Sequence, residues 1–171
     1  MPIIGINFVL ADHFGVTAGA LGMQNATRFY TAIAGDKAVS VNAYTDSWAA
    51  TTLVVGIYTV TANKPDILVG GEHNISVPAG GPPKVWNSTV INVALTAGVT
   101  YTIAWRAIGS VRTQVTLLDL ATGSNDGSSP LPGIWTHASN TRGTFSIYAN
   151  VTNVAPPLSN IYFPCCAQLI T

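Results

Sequence analysis

Charged residues are scarce in this chain of 171 residues. Lysine and arginine number seven, aspartate and glutamate number seven, and together they make up 8% of the sequence, against about a quarter in a typical globular protein. The basic residues are scattered along the chain: Arg28, Lys37, Lys64, Lys84, Arg106, Arg112 and Arg142. No cluster of them matches a row of phosphates or an anionic lipid surface, which argues against nucleic acid and membrane as partners.

Long apolar runs are also missing. The runs Ile3–Leu10, Thr52–Val60 and Val111–Leu120 are strand-sized, whereas a membrane-spanning helix needs about 20 residues. The start, Met-Pro-Ile-Ile-Gly, lacks the basic and long apolar regions of a secretory signal. We therefore expect either a protein made in a cytoplasm and kept there until assembly or lysis, or a chain whose leader has been removed.

The residues that catalysis usually requires are few and dispersed. Hydrolysis of a glycosidic bond usually uses two carboxyls, but most acidic residues fall at strand ends or in turns, where they cap the backbone. His13, His73 and His137 lack metal-ligand spacing. The sequence also has no nucleophile elbow, phosphate-binding glycine loop or dinucleotide fingerprint. We predict a protein that is not an enzyme and has no cofactor.

One polar loop carries the kind of oxygen ligands that calcium prefers. Asn125 and Asp126 precede a glycine, and Asp119 lies upstream in an apolar strand. Carboxylate and amide oxygens suit Ca²⁺, but the same residues also form an ordinary Asn-Asp-Gly turn. Because a full ligand set is not visible, Asp119, Asn125 and Asp126 are weak candidates for a structural calcium site.

The two cysteines, Cys165 and Cys166, are adjacent and close to the C-terminus. Neighbouring cysteines rarely bond each other because the resulting ring is strained. Three interpretations stay open: two reduced, packed thiols, an intermolecular disulfide that locks an oligomer, or a metal site that lacks further ligands nearby.

Apolar residues at alternate positions are what the sequence has in abundance. Hydrophobic residues make up 48% of the chain and mean hydropathy is +0.37. Turn signals separate the alternating segments, and only residues 16–25 suggest a short helical turn. Frequent short strands predict an all-β sandwich or barrel. The strand candidates are Ile3–Leu10, Arg28–Ile33, Lys37–Thr45, Leu53–Val60, Asp66–Val69, His73–Pro78, Lys84–Leu95, Val99–Ala107, Val111–Leu120 and Gly143–Thr152.

The apolar excess is concentrated at the two ends. We predict a domain over residues 28–152, preceded by an apolar segment, 1–27, and followed by an apolar tail, 153–171. Such ends pack either on their own sandwich or on a neighbouring subunit. The residues expected to contact neighbours are Ile3, Ile4, Phe8, Ile161, Tyr162, Phe163, Cys165 and Cys166.

Four tryptophans are the best recognition candidates. Trp105 lies on the apolar row of its strand and is expected in the core. Trp86 follows two prolines and a lysine, and Trp48 and Trp135 lie in loop-like surroundings. Flat indoles stack on sugar faces and anchor protein interfaces, although many are simply packed. Trp48, Trp86 and Trp135 are therefore candidates for contact with a ligand or partner.

Two segments carry a family resemblance: the hairpin Leu95-Thr-Ala-Gly-Val-Thr-Tyr101 and the closing Ser146-Ile-Tyr-Ala149. With the order of segments from Arg28 to Thr152, they resemble non-catalytic jelly-roll modules of phage virion and tail proteins and of large secreted bacterial proteins. The resemblance implies an antiparallel jelly-roll β-sandwich, often with a structural calcium. It implies no binding site, since both motifs are structural.

The low charge, the apolar ends, the missing leader and this resemblance lead us to expect a non-enzymatic structural or accessory protein of a virion. It would be a capsid decoration, head-fibre or tail component that forms homo-oligomers or binds capsid or tail proteins. The alternative is an extracellular or cell-surface carbohydrate-binding adhesion module that uses exposed tryptophans. Exposure of the tryptophans distinguishes the two hypotheses.

Overall fold

The computed structural model describes residues 1–9, 12–16, 21–24, 29–121, 131–135 and 141–153. These residues form twelve strands, and among them there is no helix that could cross a membrane. The strands are β1 (Ile3–Gly5), β2 (Asp12–Val16), β3 (Leu21–Gln24), β4 (Tyr30–Thr31), β5 (Asp36–Asp46), β6 (Thr51–Thr61), β7 (Lys64–Val77), β8 (Val85–Ala94), β9 (Thr100–Ala107), β10 (Val111–Ala121), β11 (Thr141–Phe145) and β12 (Ile147–Asn153).

Eight of these strands form two four-stranded antiparallel sheets. One sheet has the order β1-β12-β5-β8 and the other the order β4-β9-β6-β7. Among these eight strands, consecutive strands pair directly only in the β6–β7 hairpin. The connections from β4 to β5, β5 to β6, β7 to β8 and β8 to β9 pass from one sheet to the other. Two sheets with these crossings make a jelly roll. The predicted antiparallel jelly-roll β-sandwich is confirmed.

The remaining strands connect the two sheets along one side. β10 pairs with β5, β11 and β2, and β11 pairs in parallel with β3, which in turn pairs with β9. Three strands of residues 1–27 therefore belong to the same hydrogen-bonded structure as the sandwich. The short helical turn predicted within 16–25 is not found at the described residues of that range, since Val16 ends β2 and Leu21–Gln24 form β3; the others lie outside the described residues.

The main core fills the space between the sheets. Inward residues such as Val41 of β5 and Val55 of β6 are fully buried, as the alternation predicts. Trp105 is 3% exposed and meets Phe145 edge-on, with ring centroids 5.1 Å apart, so its predicted core position is confirmed. Gly22 of β3 lies directly against the Trp105 indole, where a Cβ atom would collide with the ring.

A smaller apolar cluster covers the outer side of the β4-β9-β6-β7 sheet. It contains Leu21, Val54, Tyr58, Ala104, Leu131 and Trp135. The segment 131–135 docks there through backbone hydrogen bonds from Leu68 to Gly133 and from Trp135 to Asp66. One outer side of the sandwich is therefore packed under its own chain.

β7 is longer than the sequence pattern indicates. The sequence predicts two strands, Asp66–Val69 and His73–Pro78, but apart from Pro78 both belong to the single strand Lys64–Val77. Gly70 and Gly71 adopt φ values of 73° and 79°, and the register with β6 shifts at this point. Two glycines at positive φ make a bulge in the strand rather than its end.

Asp36, at the start of β5, joins three separated parts of the sandwich. Its carboxylate accepts hydrogen bonds from the Tyr30 hydroxyl (2.6 Å), the Ile33 N–H (2.8 Å) and the Asn153 amide (2.9 Å). Burial opposes ionisation of this carboxyl, but the hydrogen bonds outweigh it and lower the pKa of Asp36. Burial and the bond to Asp36 raise the pKa of Tyr30 to about 12.

We expect Asp36→Asn to remove an acid-sensitive part of the folding stability. A carboxyl whose pKa is lower in the folded protein stabilises it above the unfolded value, near 3.9, and this contribution is lost as the pH falls through the folded value. The variant should be less stable at pH 7 by about 1 kcal/mol or more, because charge-assisted hydrogen bonds are lost. The difference should shrink well below pH 4.

Urea unfolding of both proteins at pH 7 and pH 3 measures this effect. The matched control is Asp66→Asn, since Asp66 accepts a hydrogen bond from Thr61 at the surface and should change little at either pH. A loss that is equally large at both pH values would contradict the role given to the Asp36 charge.

Candidate functional site

The outer side of the β1-β12-β5-β8 sheet is open to solvent. Alternation around the buried residues Val41, Ala43 and Ala149 directs their neighbours outward. We call eight of these outward residues the outer face; none of them carries a charge. They are Ser40, Asn42, Tyr44, Trp86, Ser88, Val90, Tyr148 and Asn150.

Strand register arranges the outer face in three rows across the sheet. The first row pairs Trp86 with Tyr44. The second places Asn42 between Ser88 and Tyr148. The third places Ser40 between Val90 and Asn150, so aromatic rings lie at one end of the face and small polar groups at the other.

Trp86 is the centre of the aromatic part. Its ring centroid is 5.3 Å from that of Tyr44 and 5.2 Å from that of Tyr148. Tyr148 belongs to β12, two strands away from β8, so the indole extends across β5 and lies along the sheet. It remains 36% exposed. The three rings support one another and present a preformed aromatic surface.

Two amides border these rings. The Asn150 amide donates to the Ser40 hydroxyl oxygen at 2.9 Å, and the Asn42 amide donates to the same oxygen at 3.3 Å. These bonds orient both side chains. Each amide has a second N–H and a carbonyl oxygen, so the row can both donate and accept hydrogen bonds.

Trp48 follows β5 and is the most exposed tryptophan in the described part of the chain, at 73%. The Arg112 guanidinium lies 4.9 Å from its ring centroid. Arg112 is itself held by Asp46, which is 3% exposed, through two hydrogen bonds of 2.7 and 2.9 Å. Gly81 is buried beside the ring, and a Cβ there would come within 2.5 Å of Trp48 Cζ3. The indole is therefore exposed but fixed.

The third candidate tryptophan, Trp135, is buried instead of exposed. It is 8% exposed and meets Tyr58 edge-on at 5.2 Å. Its backbone N–H donates to the Asp66 carbonyl at 2.7 Å, which holds the segment against β7. Trp135 therefore packs in the small apolar cluster, and it is too buried in this structure to contact a ligand.

The residues predicted to contact neighbouring subunits have different environments. Ile4 is fully buried in this chain's own core, Ile3 is half-buried opposite Asn150, and Phe8 is 53% exposed. Ile4 is thus a core residue, while Phe8 is available to a partner. The other five residues predicted to contact neighbours lie outside the described residues: Ile161, Tyr162, Phe163, Cys165 and Cys166. The calcium candidates Asn125 and Asp126 lie outside them as well.

The acidic side chains that the structure describes are engaged in structural contacts. Besides Asp36, Asp46 and Asp66, Glu72 accepts a hydrogen bond from the Leu131 N–H. Within the described residues no group of three or more His, Cys, Asp or Glu side chains is placed to hold a metal ion. The calcium candidate Asp119 lies in β10, and that site stays a prediction.

Sequence reasoning missed Tyr44 and Tyr148. Alternation places each on the polar side of its own strand, but they are far apart in sequence and meet only through the register of β5, β8 and β12. An aromatic residue at an outward position was the available signal.

Comparison with known proteins adds one remote likeness. No protein-family model matches the chain, and no curated protein matches it. A solved structure with some similarity is the carbohydrate-binding module CsCBM6-3 from Clostridium stercorarium in complex with cellobiose. Its sequence is 23% identical, and the match spans 67% of this chain and 82% of that module, with a TM-score of 0.39. A likeness this remote assigns neither a family nor a function.

Proposed function

We propose that this protein is a non-catalytic carbohydrate-binding domain that takes a neutral glycan on its outer face. The observation that carries the proposal is the cluster of Tyr44, Trp86 and Tyr148 on an exposed, uncharged sheet surface. The C–H faces of sugar rings pack on flat aromatic rings, which gain from burial of apolar area.

The polar groups beside the rings suit sugar hydroxyls. A hydroxyl both donates and accepts, so it needs partners of both kinds. Asn42 and Asn150 offer both kinds from side chains already oriented by Ser40, and Ser88 adds a hydroxyl in the same row. Groups oriented before binding lose less conformational freedom when the ligand arrives.

The absence of charge on the outer face favours neutral over acidic sugars. A carboxylate or sulfate on a glycan is bound most strongly by arginine or lysine. None of the eight outer-face residues is an arginine or lysine, and Arg112, next to Trp48, is already paired with Asp46. We therefore expect neutral hexose or pentose units.

A glycan array probed with the labelled protein, followed by titration calorimetry, tests the proposal. We expect one or more neutral oligosaccharides to bind with a Kd between micromolar and millimolar and to change the tryptophan fluorescence. An array on which no glycan binds, or only acidic glycans bind, would contradict it. Tyr and Trp also anchor protein interfaces, and binding to proteins alone would assign the outer face to a protein partner.

The virion role, the homo-oligomer and the binding of capsid or tail proteins stay predictions. One feature favours assembly: Phe8 and its neighbour Val9 are 53% and 47% exposed close to β1, and exposed apolar residues mark interaction sites when they are contiguous. Light scattering that gives a mass above one protomer would support this second role. A monomeric mass would count against it.

A further inference from the structure

Resting on the proposed function, we infer that the outer face binds an extended, unbranched oligosaccharide that runs along β5, with Trp48 as a second stacking position. The ligand is then an internal stretch of a linear neutral chain of about three sugar rings or more. A single terminal sugar would occupy only part of this surface.

Trp48 lies on the same side of the sheet as the three-ring cluster. Alternation along β5 directs Tyr44 and Asp46 outward and buries Thr45, which is 0% exposed. Asp46 is paired with Arg112 on β10, and Arg112 lies over the Trp48 ring. The indole therefore continues the outward column that begins at Ser40.

The spacing of the two aromatic positions sets the length of the ligand. Trp48 follows Tyr44 by four residues and lies just beyond the end of β5 at Asp46, so their Cα atoms are at most about 14 Å apart. A single sugar ring covers only part of such a span, whereas a linear chain of about three rings covers it. The same strand direction leads from Tyr44 to Asn42 and Ser40, so the polar row lies on the continuation of this path.

Trp48 is already fixed in the position that stacking requires. Gly81 and Arg112 contact the ring, and Asp46 holds Arg112 through two hydrogen bonds. A rigid aromatic side chain adds contact area at little cost in conformational entropy. Because most of this indole is exposed, it buries little apolar area in the fold, and its fixed ring is available to stack on a ligand.

Both ends of the path carry exposed side chains. Val90, in the last row, is 87% exposed and Trp48, at the other end, is 73% exposed. A surface on a sheet that is open at each end lets a polymer continue past it in both directions. This geometry favours the interior of a chain over its terminal residue.

A length series tests the inference. Linear β-1,4-glucan, β-1,4-xylan and α-1,4-glucan oligosaccharides, from disaccharide to hexasaccharide, are titrated against the full chain, Trp48→Ala and the control Ile134→Ala. Ile134 is an exposed apolar residue beside the small cluster, on the opposite side of the sandwich. We expect affinity in the full chain and the control to rise about 10-fold from disaccharide to tetrasaccharide, since a second stack contributes on the order of 1.4 kcal/mol.

Trp48→Ala should bind the disaccharide unchanged and lose most of this rise. Gly81→Ala, in which the new methyl group pushes the indole away, should lose it in part, and thermal unfolding should show that both variants remain folded. A disaccharide that binds as tightly as a hexasaccharide, a rise that persists in Trp48→Ala, or binding confined to branched glycans overturns the inference and leaves the proposed function intact. Absence of binding to glycans of every length and type overturns both.

Discussion

Trp86→Ala is expected to reduce affinity for a neutral oligosaccharide about 30-fold or more. Among the described residues, the indole is the one ring in contact with both tyrosines of the outer face. Its loss removes the centre of the stacking surface and the support of Tyr44 and Tyr148. Loss of about 80 Å² of apolar contact with the ligand corresponds to about 2 kcal/mol, which is about 30-fold in Kd. Titration calorimetry with the tightest array ligand measures the change.

Two variants separate loss of the ring from general damage. Trp86→Phe keeps a flat ring on β8 and should retain part of the affinity. Ile134→Ala, at an exposed apolar position outside the outer face, removes no aromatic group and should change Kd less than about threefold. Wild-type affinity in Trp86→Ala would show that the glycan binds elsewhere.

The sequence predicted ligand or partner contact for three tryptophans alike, but their exposure in the structure differs. Trp48, Trp86 and Trp135 are 73%, 36% and 8% exposed. The residues around Trp135 have the composition of an exposed loop, yet backbone hydrogen bonds dock this segment on β7. Docking depends on partners more than sixty positions away, so local composition could not reveal it.

The strand pattern predicted most of the sandwich because alternation is a local property. It gave the inward rows of β5, β9 and β12, including Trp105 and Ile147. It failed where a local signal has two structural meanings. Gly70-Gly71 is typical of a turn, but here both glycines lie inside β7 as a bulge.

The N-terminal segment shows the same limit. Its apolar character left packing on its own sandwich or on a neighbouring subunit open, with Ile4 among the expected contacts, and Ile4 fills the chain's own core through the pairing of β1 with β12. An apolar residue is buried whether it packs in its own core or against a neighbouring subunit. Long-range strand pairing, which local sequence does not show, decides between the two. For the outer face, alternation indicated that Asn42 and Tyr44 point outward, but the register that brings Tyr148 and Trp86 to them is not visible in any single segment.

The low charge of the chain has a specific consequence in the structure. Charged residues are absent from the three rows of the outer face, while Asp36, Asp46 and Arg112 are engaged in internal contacts. Polarity at the outer face comes from amides and hydroxyls, which bind neutral hydroxyl groups without the desolvation cost of a charge. The scarcity of charge in the chain thus includes the outer face, and it is the reason why we propose a neutral ligand there.

Trp105→Ala is expected to be the most destabilising of the substitutions considered, at about 3–5 kcal/mol. The indole is 3% exposed and contacts Phe145 and Gly22, so truncation leaves a cavity that three different strands line. For a chain of this size the loss corresponds to a decrease of roughly 6–20 °C in Tm. Urea and thermal unfolding measure it.

Trp48→Ala is the matched control, because it is the same substitution at a site that is 73% exposed. It should cost less than about 1 kcal/mol. Similar losses in the two variants would contradict the packing described for Trp105.

A double-mutant cycle with Gly22 tests the contact itself. Gly22→Ala in the wild-type chain places a methyl group against the buried indole and should cost about 1–3 kcal/mol through overpacking. In the Trp105→Ala background the same methyl group enters the cavity, so its cost should fall to near zero or change sign. The two substitutions should therefore be coupled by about 1–3 kcal/mol. Additive effects would mean that β3 does not pack on Trp105, and the connection of the two sheets through β3 would then need a different arrangement.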